Sequence, residues 1–170
     1  MTPEFSRPHR LDAIGAGESR VAVEAGEAER AALARRFGLI AIDRLIAEFT
    51  IRRDATGIVA RGSLSGAVVQ ACSVTGEAVP ASIDEAFDIR FLPDGADAPD
   101  EVELNEEDCD TVFYTGSAID LGEAAAETLA LALDPFPRSS NAEAALREAG
   151  VLSEAQTGPF AALAKLKNQG

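Results

Sequence analysis

The chain has 170 residues, 46% of them apolar, and its 29 acidic and 15 basic residues give a formal net charge of −14. This length is enough for one domain with its own core, and the charge disfavours nucleic-acid binding, which depends on cations that displace counterions from phosphates. No apolar run approaches the roughly 20 residues that cross a bilayer. The polar N-terminus has no apolar signal core, so we expect a cytoplasmic protein.

The charge is distributed unevenly along the chain. Residues 1–93 hold 13 acids and 11 bases, all of them arginine, whereas residues 94–170 hold 16 acids and 4 bases. A strongly negative half attracts basic partners. It also keeps a protein soluble, which is the simpler explanation of the charge.

The first half of the chain predicts an extended lead-in at residues 1–20, one helix and three strands. Residues 27–37 are rich in helix-forming residues, and Gly38 is placed to end the helix. Apolar and polar residues then alternate over 45–53, 57–71 and 82–91, as in strands with one buried face. The inward residues are Leu45, Ala47, Phe49, Ile51, Ile58, Ala60, Leu64, Val68, Ile83, Phe87, Ile89 and Phe91. Together they predict an antiparallel β-meander, or a small barrel-like sheet.

An acidic segment separates these strands from a helical second half. Residues 94–110 contain nine acids and no base, which predicts a flexible loop because like charges repel one another. A short edge strand is expected at 111–116. In the next segment Ser117 and Asp120 have the spacing of a capping box, and Pro135 ends the helix that follows.

A weaker helix is expected at 141–149, and the C-terminal tail, residues 150–170, contains a further short helix that begins near Pro159. With helices on either side of the strands, the pattern predicts an α+β fold in a single domain over residues 1–170.

Signatures of catalysis or of a bound cofactor are missing. His9 is the single histidine, so neither a His-based triad nor a His-rich metal site can form. Residues 15–20, GAGESR, imitate the start of a dinucleotide-binding loop, but Arg20 replaces its third glycine. We expect no enzyme, no metal and no cofactor. An enzyme of unrecognised type is the alternative, and it would need a pocket with a perturbed titrating group.

Residues 70–79, QACSVTGEAV, place Cys72 at the tip of a predicted hairpin. Three roles are open to this residue: nucleophile, metal ligand, or small side chain packed beside a turn. A reactive thiolate needs a nearby cation, a helix N-terminus or a metal, and the neighbouring residues supply none of these. The residues favour a structural role for Cys72, Thr75 and Gly76 in the hairpin.

Several segments together resemble the DUF177 family, also called the YceD family. IDLGEAAAETLALALDPFPR (119–138) resembles its helix and GPFAALAKLK (158–167) its closing segment. The hairpin around Cys72 resembles its strand–Cys–turn–strand element, and FSRPHRLD and AERAALARRFG are similar to its proteobacterial branch. Some members carry C-x-x-C at the hairpin, but Thr75 occupies the second position here, so the resemblance implies no metal.

The resemblance implies a non-catalytic factor that supports biogenesis of the large ribosomal subunit and accumulation of its 23S rRNA. We expect its acidic half to bind a basic ribosomal protein or a pre-50S particle. The alternative is a chaperone that binds rRNA directly.

Two groups of residues are candidates for contacts with such partners. Arginines on the predicted strands form either an RNA-binding face or a solvated face neutralised by neighbouring acids. The residues after the second-half helix form either an exposed docking patch or a plain helix stop. The candidates are Arg52, Arg53, Arg61 and Arg90 in the first group, and Phe136, Pro137 and Arg138 in the second.

Overall fold

The computed structural model describes residues 2–96 and 110–150. The strands and helices follow one another in the order β1 (Pro8–Arg10), β2 (Ser19–Glu24), α1 (Glu27–Phe37), β3 (Ala41–Arg53), β4 (Ile58–Ala71), β5 (Ala78–Pro93), β6 (Asp110–Tyr114), β7 (Ala118–Asp120), α2 (Leu121–Ala132) and α3 (Ala142–Glu148). A short 3-10 helix, Leu11–Ala13, follows β1. The predicted α+β class is confirmed.

Five strands of the described part form one sheet in the order β2-β3-β4-β5-β6, and β1 pairs with β7 in a separate antiparallel ribbon. The pairs β2–β3 and β3–β4 are antiparallel, but β6 runs parallel to β5, with Asp110 opposite Ile89 and Tyr114 opposite Pro93. The sheet is therefore mixed and open, and the barrel-like form is not found. Parallel neighbours need a connection of about a dozen residues or more, and the stretch 94–109 has that length.

The inward faces predicted for the three long strands are confirmed. Leu45, Phe49 and Ile51 of β3 lie in the core, and Leu64 of β4 lies there too. Phe87 of β5 is half-buried, and its ring packs against Phe49 with 4.9 Å between the centroids. Alternation alone was enough for this prediction because successive side chains of a strand point to opposite faces.

The two longer helices complete the core. Leu33 of α1 and Leu121 and Leu129 of α2 are fully buried in it. The predicted end of α1 is confirmed, since Gly38 adopts a left-handed φ of 66° and its N–H donates to the last turn. Such a φ favours glycine.

The capping box predicted from Ser117 is wrong. Residues 118–120 form β7 and pair with β1, so the chain is still extended where a helix was expected to begin. Asp120 is the N-cap of α2 and accepts hydrogen bonds from the N–H groups of Gly122 and Glu123. The helix ends at Ala132, ahead of Pro135 as predicted.

The chain divides into two compact units. Residues 1–70 and 80–134 hold the five-stranded sheet, the β1–β7 ribbon, α1 and α2. Residues 71–79 and 135–170 hold the turn around Cys72 and α3. The prediction of a single domain stays a prediction. Most of the acidic loop predicted at 94–110, and nearly all of the tail predicted at 150–170, lie outside the described residues. In the described part, no helix has the length and apolar character needed to span a bilayer.

Candidate functional site

Three of the four candidate arginines contact groups of the protein itself. The guanidinium of Arg53 donates to the carbonyl of Ile14 at 3.2 Å and also to that of Leu11. Its backbone N–H donates to Gly15 at 2.8 Å. Arg53 therefore holds the segment that follows β1 against the end of β3.

Arg90 and Arg61 each pair with an aspartate. Arg90 donates to both carboxylate oxygens of Asp54, at 3.1 and 3.2 Å, and Arg61 donates to Asp88 at 2.8 Å. In the described part of the chain Arg52 forms no ion pair, and its side chain is half-buried. Two of the four candidate arginines are thus paired with carboxylates of the chain, and Arg53 is bonded to its backbone carbonyls.

The turn between β3 and β4 shows how tightly one of these pairs is built. One carboxylate oxygen of Asp54 accepts the N–H of Thr56 at 2.9 Å and the N–H of Gly57 at 3.0 Å, besides the Thr56 hydroxyl at 2.8 Å. Burial opposes the charged form of Asp54. The hydrogen bonds from Thr56, Arg90 and Gly57 outweigh it, so the pKa of Asp54 lies well below its usual value.

The second candidate group follows α2. Phe136 is 72% exposed, Arg138 is exposed and Pro137 is half-buried. The carbonyl of Pro137 accepts the N–H of Ser73 at 2.8 Å. This segment therefore presents two side chains to solvent while its backbone is held at the Cys72 turn, and its role in docking stays a prediction.

Cys72 is buried at the turn, with 4% of its surface exposed. Its sulfur accepts N–H groups from Val74 and Thr75 at 3.4 Å and from Ser139 at 3.3 Å. Gly76 has a left-handed φ of 75°, which suits the tight turn. The predicted turn residues therefore do lie in a turn. The Cys72 sulfur of this turn also accepts a hydrogen bond from the distant residue Ser139.

These donors change the acidity of the thiol. The N–H of Ser139, followed by the hydrogen bonds from Thr75, lowers the pKa of Cys72 to about 6, while burial acts in the opposite direction. This lowering of the pKa could not be predicted from the local sequence, because the strongest donor lies 67 positions away. In the described part of the chain no group of three or more His, Cys, Asp or Glu side chains is arranged to hold a metal ion.

Asp120 joins the N-terminal segment to α2. Besides its two capping bonds, its carboxylate accepts the N–H of Arg7 at 2.8 Å and the hydroxyl of Ser6 at 2.5 Å. Two residues later, a Cβ on Gly122 would lie 2.5 Å from the carbonyl oxygen of Phe5. The IDLGE residues (119–123) therefore allow the N-terminal segment to pack closely against the start of α2.

The remaining acids of α2 differ in their surroundings. Glu123 pairs with Arg36 at 2.7 Å, and Arg36 also reaches Glu4 at 3.1 Å. Glu127 is exposed and forms no hydrogen bond or ion pair with another described residue. Partial burial, followed by the nearby carboxylate of Glu123, raises the pKa of Glu127. This helix carries an uncompensated negative charge, a feature that the sequence indicated through its acidic composition.

The model of one protein family, described as large ribosomal RNA subunit accumulation protein YceD, matches residues 60–167. Because this match covers more than half of the 170 residues, the chain belongs to the YceD family, as the sequence motifs predicted. No curated protein matches the chain significantly, and no solved structure does so either.

Proposed function

We propose that this member of the YceD family supports biogenesis of the large ribosomal subunit by binding, without catalysis, and that its partner is a basic ribosomal protein or a pre-50S particle. The observation that carries the proposal is the family match over residues 60–167, whose description names accumulation of the large-subunit RNA.

The distribution of charge supports a protein as the direct partner. Residues 94–170 hold 16 acids and 4 bases, and such a net charge attracts basic proteins and repels phosphate. Arg53, Arg61 and Arg90 already have partners in the chain. A direct contact with rRNA would draw on Arg52 and would work against the net charge.

A binding role also agrees with the surroundings of Cys72. Its pKa, lowered to about 6, favours the thiolate, but Val74, Thr75 and Ser139 enclose the sulfur with their N–H groups. A nucleophile has to reach its substrate. Here the charge of the sulfur stabilises the turn instead.

The proposed role in large-subunit biogenesis is tested by deleting the gene in its host and sedimenting cell extracts through a sucrose gradient. We expect fewer large subunits and less large-subunit rRNA, with recovery when the intact gene returns. An unchanged subunit profile would contradict the proposal.

The partner is tested by capturing proteins extracted from large subunits on the immobilised full chain. Binding at about 0.05 M salt that weakens at about 0.5 M salt is expected for a charged interface. Naked large-subunit rRNA serves as the competing probe. If the rRNA binds and no ribosomal protein does, the partner is RNA and this part of the proposal is wrong.

A further inference from the structure

Two cavities follow one another along one side of α2. The first, of about 260 Å³, lies between the start of α2 and β6. The second, of about 250 Å³, lies between the end of α2 and the middle of β5. The helix residues that line them are Asp120, Glu123, Ala124, Glu127, Thr128, Leu131 and Ala132. Their spacing of three and four places them on one face, and we call the two cavities together the α2 trough.

The α2 trough is acidic. Among the described residues that line it, six are carboxylates and none is basic: Glu85, Asp88, Asp110, Asp120, Glu123 and Glu127. Asp120 caps the helix, while Asp88 and Glu123 pair with arginines. The other three form no hydrogen bond or ion pair with a described residue. One carboxylate oxygen of Asp88 is buried and also lacks a partner in the described part of the structure.

Apolar side chains lie among these carboxylates. Leu131, in the second cavity, is 82% exposed, and Phe113, in the first, is 49% exposed. Burying a large apolar side chain completely is worth about 1.5–3 kcal/mol. A partner that covers both residues therefore gains apolar contact as well as charge pairing.

We propose that the α2 trough binds an extended, basic segment of a ribosomal protein, with Lys or Arg side chains on the free carboxylates and apolar side chains on Leu131 and Phe113. This inference rests on the proposed function and names the surface that carries it. The negative charge of the α2 trough disfavours two other possible occupants, residues 97–109 of this chain and RNA. Residues 97–109 of this chain hold seven acids and no base, and RNA would bring its phosphates against six carboxylates.

Photo-crosslinking in the full chain tests where the partner lies. A benzophenone amino acid replaces Leu131 or Phe113, and in the control it replaces Ile40, which is 53% exposed and lies outside the α2 trough. The probe is the mixture of proteins extracted from large subunits of the host. We expect crosslinks from positions 131 and 113 to a segment rich in Lys and Arg, and none from position 40.

A matched pair of charge reversals tests the electrostatics. Glu127→Lys and Glu18→Lys change the net charge equally, and both positions are exposed. We expect the first variant to weaken binding about tenfold and the second less than about threefold. Thermal unfolding confirms that both variants are folded.

Two results would separate the possible failures. If the unmodified chain binds large-subunit proteins but both reversals weaken binding equally, or if the crosslinks lead to residues 97–109, the α2 trough is not the docking site and the proposed function stands. If the unmodified chain binds no large-subunit protein, the proposed partner is wrong and the inference falls with it.

Discussion

Replacing Asp120 tests whether the IDLGE segment serves the fold. One of its carboxylate oxygens accepts the N–H groups of Gly122, Glu123 and Arg7 at 3.0, 3.1 and 2.8 Å. The other accepts the Ser6 hydroxyl at 2.5 Å. Four donors from two segments, more than 100 positions apart in sequence, therefore depend on one side chain. Asp120→Ala removes all four bonds at once.

The expected cost follows from these bonds. Loss of an N-cap costs about 1 kcal/mol. The N–H of Arg7 and the hydroxyl of Ser6 each lose a charged acceptor, which costs about 1 kcal/mol apiece where water can partly replace it. Asp120→Ala should therefore lower the free energy of unfolding by about 3 kcal/mol. Asp120→Asn keeps one acceptor oxygen and is an equally good cap, so it should cost about 1 kcal/mol.

Urea unfolding of the full chain measures both variants, with the m-value as a check that the exposed surface is unchanged. Glu143→Ala is the control. It removes an exposed ion pair with Arg147 in α3, and its effect should stay below about 0.5 kcal/mol. If Asp120→Ala costs no more than Asp120→Asn, the carboxylate does not organise this junction and the reasoning is refuted.

Variants at three further places probe contacts that the sequence did not reveal. Arg7→Lys loses the two-pronged bond to Glu29, at 2.7 and 2.8 Å, and should cost about 1 kcal/mol in the same urea assay; adding Glu29→Gln should cost little more, because the pair is already broken. The pKa of Asp54 is lowered in the fold, so the native chain should lose stability as the pH falls below about 4. Asp54→Asn should lose less between pH 7 and pH 3, and equal losses would contradict the pairing with Arg90. In a chain with Cys109→Ser, ultraviolet titration should show the Cys72 thiolate forming near pH 6 in the folded state and near pH 8.5 in urea. Stability should accordingly rise with pH between these values, and Cys72→Ala should remove that rise.

Local sequence patterns were enough to predict the inward faces of the strands. The alternation in β3 identifies Leu45, Phe49 and Ile51 as inward residues because a strand has a period of two. The end of α1 was predictable for a similar reason, since a left-handed turn at Gly38 costs glycine little. Each of these features depends on residues within a few positions of one another.

The features that the sequence did not reveal depend on residues that are far apart in the chain. Ser117 precedes a helix-like sequence at capping spacing, but pairing with residues 8–10 keeps 118–120 extended. The acidity of Cys72 depends on Ser139, and the direction of β6 depends on where the chain returns after β5. Sequence alone left the role of the arginines open because Asp54 and Asp88, the partners of Arg90 and Arg61, lie on another turn and another strand.

The helix α2 allows the demands of folding and of binding to be separated at neighbouring positions. Leu129 is fully buried in the core, whereas Leu131 is 82% exposed in the α2 trough. Leu129→Ala should cost about 2–5 kcal/mol of stability because it leaves a cavity. Leu131→Ala should change stability by less than about 0.5 kcal/mol, because a side chain already in water loses little burial.

Binding should respond in the reverse order. At a temperature where both variants are folded, Leu131→Ala should weaken capture of large-subunit proteins, while Leu129→Ala should bind like the unmodified chain. The comparison holds the residue type, the helix and the substitution constant, so that a difference in binding reports on the face of α2 alone. If Leu129→Ala lost binding and Leu131→Ala did not, the partner would be recognising the core packing of this unit and the exposed face of α2 would have no part in it.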